Sequence, residues 1–455
     1  MKIYITICLT FLIPMSLFAQ TWSEMGSGAN SLAANSGIGA ICADKSGNVY
    51  AAGLFTNGSG KKYVAKWNGS SWSELGTGAN ALNPSSYILS LACDTAGNVY
   101  AAGAFTNAQG NNYVAKWNGS TWAELGPGNN VLVSNVGIYS IAADPSGNIY
   151  ATVGFAGTSP KPYIAKWNGT SWAELGAGGN ELNADGFPTV VHSDKNGNIY
   201  AGGFQGGGKT QVVKWNGTTW SQLGTGSNAL NADNLIYSIT SDPAGNVYAA
   251  GDFRDANQIW YVARWNGTNW SALGTGANAL NAGFQSSTIL TIASDPSGNI
   301  YAAGAFKNNT LHAYVAKWTG TNWTELGAGN AALNANNEIS TLTSDASGNL
   351  YAGGSFTNSN GNQYVAKWNG GVTAIEDFAI PAFEMYPNPA NGRFFIHPPK
   401  GSREMVILNS LGQVVQTKYI RGQTQIEAEL SESGIYFVQV KTEDKVFTQK
   451  IVIHQ

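Results

Sequence analysis

Seven aspartates recur at positions 44, 94, 144, 194, 242, 295 and 345, each followed by Gly three residues on, Asn four on and Tyr six on. Such a set invites calcium binding or carboxylate catalysis. A calcium cage draws several oxygen ligands from one loop, and these loops carry one Asp each, so each Asp is expected to accept backbone N–H bonds from its own turn. Tryptophan follows the same period, at 67, 117, 167, 215, 265, 318 and 368 and again at 22, 72, 122, 172, 220, 270 and 323. Paired indoles can stack on sugar rings, and seven copies would add avidity. The favoured expectation is that they flank a tight turn and pack between neighbouring sheets. Fourteen of the 15 Trp are thereby placed, and Trp260 stands outside both series. Lys66, one residue before its Trp, is expected to reach Glu74 on the next strand as an ion pair.

Other reactive groups are sparse. His192, His312, His397 and His454 occupy unrelated positions, and no Ser-His-Asp, H-E-x-x-H or phosphate-loop pattern occurs. No catalytic residue, metal site or cofactor is assigned. Net charge is −3, with 24 basic and 27 acidic residues, which gives no electrostatic case for nucleic acid, since that needs a basic face. Hydrophobic residues make up 43% of the chain, enough for a core. Residues 1–19, with Lys2, an apolar run from Ile3 to Leu17 and the small Ala19, read as a secretory signal peptide. No later segment is long and apolar enough to span a membrane. Of the three Cys, Cys8 lies in the apolar run. Cys42 precedes its Asp by two residues and Cys93 by one, so their side chains point to opposite faces of equivalent strands, which argues against a disulfide.

The elements that position these residues follow from the period. The Asp spacing is close to 50 residues, and each unit holds four short strand candidates, typified by Ile88–Cys93, Val99–Phe105, Tyr113–Trp117 and Trp122–Leu125. Four strands joined as a meander, seven times over, make a seven-bladed β-propeller, because only stacking around an axis covers both apolar faces of each sheet. The chain enters at 21–26 with a fourth strand and leaves at 364–370 with a third. The N-terminal strand is therefore expected to complete the last blade, giving a propeller over 20–370. The repeat resembles kelch-type propeller repeats, Tyr351-Ala352-Gly353-Gly354 most closely, and the D-x-x-G-N-x-Y repeats of bacterial surface proteins. It differs in order from the sialidase Asp-box.

Composition changes after residue 370. A linker over 371–382 leads to 383–455, which holds eight basic and seven acidic residues and no Trp, with strand candidates that suit a small Ig-like β-sandwich. The fold class is all-β throughout. Tyr386-Pro387-Asn388-Pro389 with Gly392, Leu408-Asn409-Ser410-Leu411-Gly412, Gly434-Ile435-Tyr436 and the Lys450-Ile451-Val452-Ile453 ending resemble the type A sorting domain of type IX secretion. The resemblance implies a Gram-negative bacterium and recognition of 383–455 by the type IX secretion machinery. It further implies delivery to the outer-membrane surface or beyond.

Where the repeat varies, binding is expected. The loops between the second and third strands and those between blades open on one rim, opposite the Asp turns. They carry Lys161, Lys209, Arg254, Asp255, Trp260 and His312 in the first set, and Tyr87, Glu181, Asp185, Phe187, Asp233, Phe284 and Glu338 in the second. Variable loops on a rigid scaffold are where contacts are made. The leading function is a secreted or surface adhesion propeller binding a glycan or protein, with Trp260, Arg254, Asp255, His312, Tyr87, Phe187 and Phe284 as contact residues. Alternatives are a glycan hydrolase or lyase using Glu181, Asp185, Asp233 or Asp255, and a surface spacer.

Overall fold

The computed structural model describes residues 20–454, apart from 127–131, 133, 135, 155–160, 183–185, 204–209, 281–286, 328, 370–382, 410–412 and 443–445. The signal-peptide segment, the linker, Asp185, Lys209, Phe284 and Gly412 thus lie outside the described residues. Two compact units are present, Met1–Gly371 and Val372–Gln455.

The first unit is a seven-bladed propeller of four-stranded antiparallel sheets. In the second blade the strands are Ile88–Cys93, Val99–Gly103, Ala115–Trp117 and Trp122–Glu124. Between them the rim loop pairs once, at Thr106 and Asn112, so the outer strands are shorter than their apolar runs. First strands from all seven blades line the axis. The last blade takes its fourth strand from the N-terminus, with Trp22 opposite Trp368 and Glu24 opposite Ala366.

Each Asp turn is a closed hydrogen-bond unit. Asp94 Oδ1 accepts the backbone N–H of Ala96 and of Asn98, and Oδ2 accepts Asn98 Nδ2 at 2.7 Å and Tyr100 OH at 2.9 Å. The carboxylate is buried and satisfied, which explains why Asp, Asn and Tyr travel together. Asn at +4 and Tyr at +6 bond the Asp carboxylate in all seven blades.

The tryptophans bind blade to blade. The second Trp of each unit donates its indole N–H to the carbonyl that ends the preceding blade, as Trp72 to Met25 at 2.9 Å and Trp122 to Leu75 at 2.7 Å. Trp22 closes the series on Leu326 at 3.0 Å. The first Trp lies over the glycine that follows that carbonyl. Gly76 has φ +84°, and a Cβ there would meet Trp117 at 2.7 Å.

Two sequence expectations are overturned. Lys66 and Glu74 do not pair, because Lys66 stands opposite Ser73 and Glu74 opposite Ala65, on opposite faces of the sheet. Lys66 shares its face with Tyr50 and lies 5.8 Å from that ring centroid, while Glu74 accepts Asn57 Nδ2 at 3.1 Å. The second correction is a disulfide between Cys42 and Cys93, with Cα atoms 6.1 Å apart. Opposite faces of equivalent strands were read as incompatible with a bond. Adjacent blades stack face to face, so those are the faces that meet.

The second unit is a sandwich of a three-stranded sheet, Glu384–Tyr386, Arg393–His397 and Ile426–Glu429, and a four-stranded sheet. Phe394, Ile396, Met405, Ile407, Val438 and Ile451 form its core.

Candidate functional site

The two variable loop sets do meet on one rim. Thr56 N donates to Asn35 Oδ1, Thr106 N to Ser85 Oγ, Arg254 N to Asp233 Oδ1 and Thr357 N to Asn336 Oδ1. Each bond joins an inter-blade loop to the loop between second and third strands of the next blade.

The fifth blade keeps this bond but differs next to it. In the first, second, sixth and seventh blades the residue after the zipped position is Asn, which caps its own turn and donates Nδ2 to a fourth-strand Glu, as Asn57 to Glu74, Asn107 to Glu124, Asn308 to Glu325 and Asn358 to Glu24. In the fifth blade Asp255 keeps the cap, accepting Asn257 N and Ile259 N. The Glu is replaced by Ala272, which spares two carboxylates from facing each other. Trp260 is half-buried; its indole N–H donates to Asp252 Oδ1 at 2.8 Å, and the Arg254 guanidinium lies 4.5 Å from its ring centroid. Asp252 also accepts Thr288 Oγ1 at 3.0 Å and Asn234 Nδ2 at 2.9 Å. Arg254 Nη1 reaches Gln258 Oε1 at 3.3 Å, whereas its buried Nε has no partner among the described residues. Burial, with Asp233 and Asp255 adding negative charge, pushes Tyr261 up to about 12.

The remaining rim residues lie elsewhere. Tyr87 is exposed, with Lys62 Nζ 5.0 Å from its ring centroid. His312 Nδ1 meets Thr310 Oγ1 at 3.1 Å in its own turn. Phe187 packs edge-on against Tyr139 at 5.2 Å. Glu181 Oε1 accepts Gly178 N and Gly179 N, and these bonds hold its carboxyl below the usual range. Glu338 faces Ser355 Oγ at 3.4 Å. Among the described residues no group of three His, Cys, Asp or Glu could hold a metal.

Sequence reasoning missed the mouth of the axis. Five residues before the Asp, the first strand bulges in five blades, and in all seven the residue there lines the channel. At that position stand Tyr139, 48% exposed, and Tyr237, 38% exposed. The strand was legible as an apolar run, but the turning of this residue to the axis is a tertiary feature. Deeper in, hydroxyls tie first strands together: Ser90 Oγ accepts Ile141 N, Ser140 Oγ accepts Val191 N, Ser238 Oγ accepts Ile292 N and Thr291 Oγ1 accepts Leu342 N. Ala40 and Val190 take this position in the first and fourth blades. There, two residues further along, the Cys42–Cys93 disulfide and a 2.9 Å bond between His192 Nε2 and Ser241 Oγ make the links.

In the second unit the sorting-motif residues converge on the last strand. Asn388 Nδ2 donates to Lys450 O at 2.8 Å and its Oδ1 accepts Val452 N at 3.1 Å, joining the Tyr386–Pro389 motif to the chain ending. Gly392, at φ +81°, accepts Leu430 N through its carbonyl. Tyr436 is buried beside Gly434 and donates to Glu432 O.

Comparison with known proteins matches residues 384–454 to the secretion system C-terminal sorting domain family. No curated protein sequence matches the chain. The extracellular domain of a hybrid two-component system of B. thetaiotaomicron aligns over 96% of this chain and 58% of its own, at 13% identity and TM-score 0.53. A second such domain from the same organism aligns over 94% and 51%, at 11% identity and TM-score 0.50. PorZ, a surface component of the type IX secretion system of Porphyromonas gingivalis, aligns over 90% and 58%, at 16% identity and TM-score 0.49. The chain therefore spans little more than half the length of these neighbours, and the likeness is one of fold. No helix among the described residues is long and apolar enough to cross a membrane. The chain is a seven-bladed β-propeller carrying a type IX C-terminal sorting domain, a protein secreted to the cell surface or the extracellular space.

Proposed function

We propose that the propeller is an extracellular binding or adhesion module whose ligand docks on the variable rim, after the sorting domain has delivered it through the type IX machinery. The observation that carries this reading is the fifth-blade cluster. Here the capping Asn is replaced by Asp255 and the fourth-strand Glu by Ala272, and Asp233, Asp252, Arg254, Asp255 and Trp260 stand together on the rim. The buried Arg254 Nε lacks an acceptor among the described residues, and a group of that kind is costly unless a partner arrives. The Asp233 and Glu181 carboxylates cap backbone N–H groups, which suits positioning of loops better than acid–base work.

The test is a screen of the full mature chain on glycan and extracellular-matrix protein arrays, with Arg254→Ala and Trp260→Ala alongside. A ligand retained by the native chain and weakened at least about tenfold by either change is expected, from the typical cost of removing a buried aromatic or Arg anchor. Ligands bound equally by both variants would remove the rim from the binding surface.

A further inference from the structure

The axial channel is a cavity of about 390 Å³ lined by the first strands of all seven blades. That is within the span of roughly 300–1,000 Å³ typical of small-ligand sites. Its described lining carries no Asp, Glu, Lys or Arg. The one imidazole in it, His192, is neutral at physiological pH, because burial pushes it down to about 4 against the raising effect of Asp194. An acidic or basic ligand would leave water there and meet no opposite charge. Hydroxyls supply the polar lining, and Ser90 and Thr291 accept one inter-blade N–H each from a group with one donor and two acceptor sites.

The mouth on the variable rim has a different chemistry. Tyr139 and Tyr237 stand there half-exposed beside Leu89 and Leu290, and Phe187 braces Tyr139 edge-on. Trp260 has its N–H bonded and Arg254 over its ring, so the freer aromatic faces are those at the channel. Aromatic rings above a neutral, hydroxyl-lined well fit a sugar, whose C–H face stacks and whose hydroxyls exchange hydrogen bonds.

We propose that the channel mouth is a binding site for the uncharged end of a glycan chain, which stacks on Tyr139 and Tyr237 and enters the hydroxyl-lined channel. The proposal rests on the reading above that the propeller binds a ligand on its variable rim, and adds to the fifth-blade cluster a second contact surface and a ligand class.

Gly39 gives a way to close the channel. It occupies the channel-lining position held by tyrosine in the third and fifth blades, and a Cβ there would have no neighbour nearer than 3.9 Å. Gly39→Trp can therefore leave the strand without its Cβ striking backbone, and its indole is expected to fill the mouth. The full mature chain is titrated calorimetrically with neutral hexasaccharides (malto-, cello-, chito- and manno-) and with an acidic oligogalacturonate. The native chain is compared with Gly39→Trp, with Tyr139→Ala/Tyr237→Ala and with Arg254→Ala, each first shown to melt cooperatively. A neutral hexasaccharide is expected to bind, with affinity reduced at least about tenfold in both channel variants, as loss of aromatic stacking implies, while Arg254→Ala reports separately on the fifth-blade cluster. Binding that survives both channel variants but fails in Arg254→Ala overturns the channel proposal and leaves the rim reading standing. Binding of the acidic probe alone, or of none of the neutral ones, overturns the proposal. Neutral binding unaffected by all three variants overturns both readings.

Discussion

At the scale of single residues, the repeat is written in hydrogen-bond capacity. Asp94 accepts four bonds, two from backbone and two from side chains, and removing it orphans Asn98 and the buried Tyr100 OH. Asp94→Ala should therefore cost about 3 kcal/mol, the order expected for leaving buried donors unsatisfied, measurable by denaturant titration. Burial raises the Asp94 carboxyl, but the bonds from Asn98, Tyr100 and Ala96 outweigh it and hold the group below its ordinary value. A depressed carboxylate stabilises the fold above the unfolded pKa of about 3.9 and loses that contribution as pH falls through the folded value. In the native chain the acid limb of stability should thus lie below about pH 4, and it should flatten in Asp94→Ala. Unchanged acid unfolding in that variant would show that the turn carboxylate is not linked to folding. The turn cap itself was readable from one Asp per loop. The Tyr100 bond was not, because it depends on the tyrosine side chain returning past the turn.

At the scale of elements, the blade interfaces explain what the strand pattern could not. Neighbouring first strands are linked near the axis by the hydroxyls of Ser90, Ser140, Ser238 and Thr291, each four residues before its Asp. The first and fourth blades lack that hydroxyl, and there Cys42–Cys93 and His192–Ser241 take over. The disulfide closes a sequence separation of 51 residues, so its reduction should cost about 2–4 kcal/mol. Calorimetry of the native chain against Cys42→Ser/Cys93→Ser should show a melting temperature lower by several degrees, and peptide mapping without reductant should recover the Cys42–Cys93 cross-link. Equal melting of the two would mean that the bond adds nothing to the blade contact. Cysteine positions alone pointed the other way, since alternation along a strand says which face a residue takes and not which blade that face meets.

At the scale of the whole molecule, the ring is held by its two ends. Trp22–Glu24 pairs with Ala366–Trp368, and Trp22 also donates to Leu326 in the sixth blade. Deleting 21–26 removes an outer strand and a buried Trp whose loss alone costs about 3–5 kcal/mol, and should lower the melting temperature by at least about 5 °C. Retention of the native melting temperature would show that ring closure does not depend on this strand.

The period of the Asp and Trp series by itself determined the number of blades, the strand count in each and the all-β class, because a repeat can bury its apolar faces only by stacking on copies of itself. The motifs around Tyr386, Gly434 and Lys450 likewise determined the destination of the chain, and the structure shows why they occur together: Asn388 binds the backbone of the final strand. Only the tertiary structure decided which faces meet. Face-to-face stacking joined the two cysteines, parted Lys66 from Glu74, turned fourteen tryptophans into inter-blade scaffold and directed Tyr139 and Tyr237 toward the axis. A sequence states the alternation within a strand, whereas the partner of each face is set by the rotation from one blade to the next.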